Sequence, residues 1–513
     1  MPAITTTPER PVWKFFEETA REGRPGLRLL VLGLSLGVLA DASLRRVPWG
    51  LNATLLTAAL VGTVLWLQLG QGTRAGAGRI GYSLAALSFA TGFIWRDAPE
   101  LKLLDFLGLV VTLGLLASER EDLGGSASLG GYVLRISGSM AHAAFGPPLL
   151  VTQDADWSRL RLGSLPPLLL GVTRGLVVTL PLLVVFTALL ASADAVFALR
   201  VTQLADVDLV ALLGHLVGIF FWGWIAAGIL RAAVLRERPA HAFPARPSWL
   251  ALGRIEVVMA LLSLNLLFGA FVWIQLRYLF GGAQWVQQVA GLTYAEYARQ
   301  GFFELVAVTA LVLPVLLAAH WLLNPETRPQ KATFAVLAGI QVLLVLVMLV
   351  SALERMRLYR AEYGLTELRF YTTAFMGWLA VLLIAFLATV LAGRRDLFAR
   401  AVLVSAFVAV FLLHGADPEA RIVRTNAVLT RGFDVRHALQ LSADAVPALV
   451  ATLPSLDPER RAALAAGLLK RWGSPDADWR SWSFARARSR QAMEGAAPEL
   501  LRLAPPEAPK PQP

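Results

Sequence analysis

The side chains best able to do chemistry lie where they are costly to keep. Asp105, Arg174, His215, Glu256, Asn265 and Glu304 fall within strongly apolar runs. A charge at the centre of a membrane helix costs roughly 2.5–3.5 kcal/mol on insertion scales. A chain that retains such residues uses them for a helix–helix bond, a proton path or a solute. Asn265 sits mid-run, where a bond between helices is the ordinary use and a substrate or proton path the sharper one. Glu256 and Glu304 lie near run ends, within reach of water. Two denser groups flank apolar runs: Tyr294, Tyr297 and Arg299 leading to Glu304, then Arg355, Arg357, Tyr359, Tyr363 and Arg369. Tyr297 and Glu304 are seven apart and share a face of a continuous helix. Arg355, Tyr359 and Tyr363 form one stripe. Tyrosines with arginines could close on an anionic or polyol group, and they equally form the aromatic and basic belt that anchors helix ends.

Other chemistries lack their residues. There are no cysteines, so thiolate metal sites, disulfides and thiol nucleophiles are excluded. The six histidines, His142, His215, His241, His320, His414 and His437, have no ligand spacing, and no metal or cofactor is expected. Gly76 to Gly81 fits the dinucleotide fingerprint by letter but joins two apolar runs rather than a strand and a helix. Gly33 and Gly37 fit a nucleophile elbow by letter, yet small residues four apart in an apolar run are the ordinary device for close helix packing. Asn52-Ala53-Thr54 fits a glycosylation acceptor and abuts an apolar run, where it is a chance match. Basic residues concentrate in connections and at the ends without a recognition motif, so no nucleic-acid partner is expected.

The elements that must position these side chains follow from composition. Of 513 residues, 56% are hydrophobic and 16% charged, with mean hydropathy +0.59. Soluble domains carry nearer a quarter charged residues, so the solvent of this chain is mostly lipid. About 20 apolar residues cross a bilayer as a helix. Runs of that kind cover 27–42, 51–69, 80–95, 101–117, 165–191, 207–230, 255–276, 302–323, 333–353, 370–391 and 401–413. The fold expected is all-α, a polytopic transmembrane helix bundle of about 11 spans (10–13) with a small helical C-terminal extramembrane region. Pro181 and Pro314 inside runs predict kinks. The excess of Lys and Arg in alternate connections places the N-terminus in the cytoplasm and, with an odd span count, the tail outside.

The domain division expected is 1–26, 27–413, 414–493 and 494–513. Residues 1–26, with Arg10, Trp13, Lys14, Phe15 and Phe16, are a basic segment, either amphipathic on an anionic leaflet or a disordered leader. Residues 281–301 form a longer connection. In 414–493, Asp417, Asp434 and Asp457 are placed to cap helices, and Trp472, Trp479 and Trp482 are too many large aromatics for a disordered segment. The region should pack on the membrane domain, its tryptophans finishing against helix ends or headgroups. Residues 494–513 should be a Pro-rich disordered end.

Several ordered blocks carry a family resemblance: 264–282 with 291–305, 353–369, Ser192 to Phe197, Asp417 to Asn426, and Asp478 to Trp482. Over 165–490 the chain resembles a bacterial membrane family, domain of unknown function 4173, related to the 4153 group. Ala195 and Ser483 stand where proline and asparagine are more usual. The resemblance implies a bacterial integral membrane protein, for which the inner membrane is the expected location, and brings no catalytic residue, cofactor or substrate. Three readings of function stand: a non-enzymatic interaction or sensing protein whose tail meets an envelope or signalling protein partner, a transporter of a small or lipidic solute, and an enzyme acting on envelope lipids or glycans. The lipid bilayer is the partner common to all three.

Overall fold

The computed structural model describes residues 25–70, 76–118, 128–155, scattered positions in 179–200, 209–235, 253–290, 302–322, 328–428, 433–474 and 478–504. All secondary structure among them is helical. In chain order the α-helices are α1 Gly26–Leu44, α2 Leu51–Gly70, α3 Ala77–Trp95, α4 Pro99–Ala117, α5 Leu129–Leu149, α6 Leu209–Leu235, α7 Arg254–Ala290, α8 Phe302–Leu322, α9 Arg328–Tyr363, α10 Glu367–Thr389, α11 Arg395–Ala416, α12 Pro418–Ala427, α13 Val435–Ala438, α14 Val446–Thr452, α15 Pro458–Trp472 and α16 Phe484–Leu503. Eight of them (α1, α2 and α6 to α11) are long and apolar enough to cross a membrane among the described residues. The chain is a polytopic helical membrane protein. Helices α3 and α4 cover the runs at 80–95 and 101–117, while the run at 165–191 lies almost entirely outside the described residues.

Two elements correct the expected connections. Helix α7 has 37 residues and continues to Ala290, taking in the first part of the connection expected at 281–301. At 1.5 Å per residue it is about 55 Å long, well beyond a hydrocarbon core of about 30 Å. Helix α16 runs to Leu503, so the expected disordered end is helical up to there. Its core-facing Met493, Ala496 and Leu500 hold it in register, and Pro498 does not stop it.

The described residues form two compact units. The first is drawn from Met1–Ala90, Leu109–Asp122 and Arg135–Pro239, the second from Thr91–Gly108, Leu123–Leu134 and Ala240–Pro513. In the first unit, α1 lies along α6 at backbone contact. A Cβ on Gly33 would overlap Ala227, and one on Gly37 would overlap Gly223 and the carbonyl of Ile219. The glycines are thus packing residues, which removes the nucleophile-elbow match. Asp41, buried on α1, pairs with His215 on α6. Asn52 is buried in the first turn of α2, donating to the Ser43 and Pro48 carbonyls at 3.1 and 3.2 Å. That burial rules it out as a glycan acceptor in the folded chain.

The second unit has two cores. Val257, Leu261, Phe268, Leu316, Val342, Val345, Met348, Met376 and Phe386 join α7 to α10 into a membrane core. Ile422, Val423, Leu449, Leu464, Leu468, Met493 and Leu500 form a second core in the tail. Leu365, from the turn joining α9 and α10, is buried in that tail core, and Phe370 of α10 packs against it. Asn426 of α12 fastens the same turn, accepting from the Leu365 N–H at 2.7 Å and donating to its carbonyl at 2.8 Å. The tail is therefore packed on the ends of membrane helices. Trp472 packs on its core, whereas Trp479 is exposed.

Because no space exists beside Gly37, Gly37→Val should lower the stability of the purified protein by about 1–3 kcal/mol in chemical denaturation. Gly62→Ala, with nothing within 4 Å of the new methyl, should leave it unchanged or raise it by about 0.5–1 kcal/mol.

Candidate functional site

The densest polar cluster described in the second unit lies where α3 gives way to α4 and α11 to α12. Arg96, one residue beyond α3, is almost fully buried. Its Nε donates to the His414 carbonyl at 3.0 Å, and its Nη1 lies 2.6 Å from Asp417 and 3.2 Å from Asp444. A guanidinium is suited to this, since its planar fork can serve several acceptors at once. Asp444 also accepts the backbone N–H groups of Asp97 and Ala98 at 2.6 and 2.9 Å. Burial pushes the Asp444 carboxyl above its ordinary range, against the opposing pull of those N–H donors and of Arg96. Asp97 in turn pairs with Lys102 at 2.6 Å and with Arg486 of α16 at 3.1 Å. One short turn, 96–98, thus binds α11, the start of α12, the approach to α14, and α16.

Asp417 departs from the expected cap. Its φ is 48°, in the left-handed region, and its side chain makes no cap bond. The carboxylate is turned instead to Arg96, a stronger partner for a buried anion than a neutral N–H. Asp434 and Asp457 do cap their helices, accepting from His437 and Arg460 N–H at 3.0 and 2.9 Å.

Beneath this layer, Asp105 of α4 faces His414 of α11. Both side chains are 0% exposed, with Nε2 to Oδ2 at 3.0 Å. The second ring nitrogen lies 2.9 Å from the Val410 carbonyl. Each nitrogen therefore faces an oxygen acceptor. Trp95 lies over the imidazole at a 5.5 Å centroid distance. Gly92 makes the pocket possible, because a Cβ there would overlap the Asp105 carboxylate. A third buried acid, Glu419, accepts from Ser442 N–H and Oγ at 2.8 and 2.6 Å. Burial pushes its carboxyl up to about 8, with Asp444 and Glu100 adding to the effect.

The residues singled out in the sequence are placed elsewhere. Asn265 is buried on α7 and donates to the Leu337 carbonyl at 3.0 Å, the helix–helix bond its position predicts. Glu256 and Glu304 are exposed. Tyr294, Tyr297 and Arg299 lie outside the described residues, as does Arg174. Tyr359, Tyr363 and Arg369 come together at the α9–α10 turn. The tyrosine rings are 5.0 Å apart, the guanidinium lies 4.2 Å over Tyr359, and Arg369 donates to the carbonyls of Tyr363 and Gly364 at 3.0 and 2.6 Å. Arg357 is bonded to Glu354 on the surface, and Arg355 is half-buried. Of the in-span acids, Asp105 alone enters the junction. Arg96, Asp444, Glu419 and Arg486 carried no sequence signal beyond an arginine next to Asp97 in the short link after Trp95. Among the described residues no group of three or more His, Cys, Asp or Glu is placed to hold a metal.

Removing one partner of a buried ion pair costs about 3–5 kcal/mol because the other charge is left uncompensated. Arg96→Met should destabilise the purified protein by that amount. Arg96→Lys should fall between, keeping the charge but not the fork. Denaturation midpoints in detergent give the order. Glu419 sets a pH trend. Below its ordinary value of 4.5 both the folded and unfolded chains hold the proton, and between there and about 8 only the folded chain does. Its contribution is full at low pH and lost as pH rises through the folded value. Stability measured from pH 5 to 9 should therefore decline less steeply in Glu419→Gln than in the parent.

A comparison with curated proteins and one with solved structures return no match. The family models do return one. The model described as Domain of unknown function (DUF4153) matches residues 83–452. That stretch contains Arg96, Asp105, His414, Asp417, Glu419 and Asp444, and stops short of Arg486. With 370 of 513 residues matched, the chain belongs to the DUF4153 family.

Proposed function

We propose that this protein is a non-catalytic interaction or sensing protein of a bacterial inner membrane. Its C-terminal helical region meets an envelope or signalling protein partner and is held in register with the membrane helices. The observation that carries this reading is the Arg96 junction, where one buried guanidinium serves the end of α11, Asp417 at the start of α12, and Asp444 of the tail. Buried charges at a hinge specify one arrangement more than they add stability, which suits a region whose placement is its message. The tail also exposes large apolar side chains, Val428, Trp479, Phe484 and Leu501. In a region outside the bilayer such residues mark contact surfaces when they cluster. On the span count read from the sequence, this region lies on the extracytoplasmic side.

The test is photocrosslinking in intact cells with a benzophenone amino acid at Val428, Trp479 or Leu501. Discrete protein adducts are expected at one or more of these positions, and none at Leu412 within α11. Arg96→Lys should change the adduct pattern while membrane insertion persists. Absence of protein adducts at all three tail positions would overturn the reading.

A further inference from the structure

Within the membrane core of the second unit lies a cavity of about 220 Å³, lined by α7, α8 and α9. Leu261, Leu264 and Phe268 form one wall and Val308 to Leu316 the other. These residues fall in the middle of spans Ile255–Gln275 and Phe302–Leu322, so the surroundings are hydrocarbon. Leu311 is 62% exposed at the rim, which opens the cavity sideways toward lipid. Pro314 sits in this stretch of α8 and cannot donate to the Ala310 carbonyl, which loosens the helix there.

One lining residue does not belong in such a place. Gln341 is 1% exposed, and neither its Nε2 nor its Oε1 has a hydrogen-bond partner. One turn earlier, the Leu337 carbonyl already receives Asn265, whose Oδ1 is also unpartnered. An unsatisfied buried amide costs about 1–3 kcal/mol, and in lipid no water can serve it. An apolar wall with one unmatched donor–acceptor head is the pattern of a ligand site rather than of a packing defect. An engineered apolar cavity of about 150 Å³ holds benzene, so this one admits a ring or a short length of chain.

We propose that this cavity binds a molecule dissolved in the bilayer, with a hydrocarbon body and a hydroxyl or carboxyl head, the head bonded to the Gln341 amide. The rest of the chain lies along α7 and α8 in the lipid. This site is independent of the tail reading above.

The experiment uses the full-length protein in lipid nanodiscs and three photoactivatable diazirine probes: hexadecanol, hexadecanoic acid and plain hexadecane. Crosslinked peptides are read by mass spectrometry. The two headed probes distinguish an alcohol from an acid as the source of the head. At least one should label α7 or α8 at the lining residues, saturably, about tenfold more than hexadecane, the ratio set by roughly one hydrogen bond to a buried polar group. Gln341→Leu should reduce that labelling to the hexadecane level without lowering the denaturation midpoint, since it removes an orphaned polar group. Val312→Phe, which fills the cavity, should abolish headed labelling. Equal labelling by hexadecane overturns the proposal, as a groove filled by ordinary acyl chains. So does unchanged labelling in Gln341→Leu or in Val312→Phe, or a drop in stability in Gln341→Leu, which would make the amide structural.

Discussion

The tail of this protein depends on one buried guanidinium. Arg96 is almost fully buried, and its acceptors come from segments more than 300 positions away in the chain. A cation so placed is tolerable only when every segment is in position, because separating any of them leaves charge in a low-dielectric interior. Packing alone would tolerate sliding of α12 and α14 against the helix ends, since hydrophobic contact is non-directional. The guanidinium does not. It converts an approximate apolar fit around Leu365 and Phe370 into a single register.

The same economy recurs in the membrane helices of each unit. Asp41 with His215 and Asp105 with His414 are acid–imidazole pairs formed between helices far apart in sequence. A carboxylate on an apolar helix is expensive alone, and a histidine on a neighbouring helix gives it a donor without a permanent second charge. Each pair also sits beside a glycine. Gly218 lies against Asp41 and Gly92 against Asp105, where a methyl would collide with the carboxylate. Small residues admit the polar side chain, and the polar pair then fixes the helix that the small residues allowed to approach.

Much of the architecture was legible because lipid imposes a coarse, local rule. Length and apolarity located ten of the runs that are helices here, and Gly33 and Gly37 announced their role through spacing alone. Helix caps at Asp434 and Asp457 were legible for the same reason, being decided within three residues. The junction was not. Arg96 to Asp444 is a contact across 348 positions, and no periodicity or motif encodes which distant acid an arginine will meet. Asp417 shows the difference most plainly. Local rules make it a cap before Pro418, and the tertiary field of Arg96 overrides them, turning its backbone left-handed and its side chain inward. Helix α7 ran past its expected end because hydropathy marks where lipid stops, not where the helix does.

The tail cannot be an independent domain carried on a tether. Its apolar core is completed by Leu365 from a turn between membrane helices, its first helix is fastened to that turn by Asn426, and Asp444 is held by Arg96 and by the backbone of 97–98. Part of the surface that closes its core is supplied by turns between helices of the membrane domain. Folding of the tail is therefore conditional on the arrangement of the α3–α4, α9–α10 and α11–α12 turns. Any shift of α4 against α11 acts on the Asp105–His414 pair and, through the same residue, on the His414 carbonyl that Arg96 holds. His414 thus joins the buried pair between α4 and α11 to the Arg96 junction, so a change in these helices has a direct mechanical route into the tail.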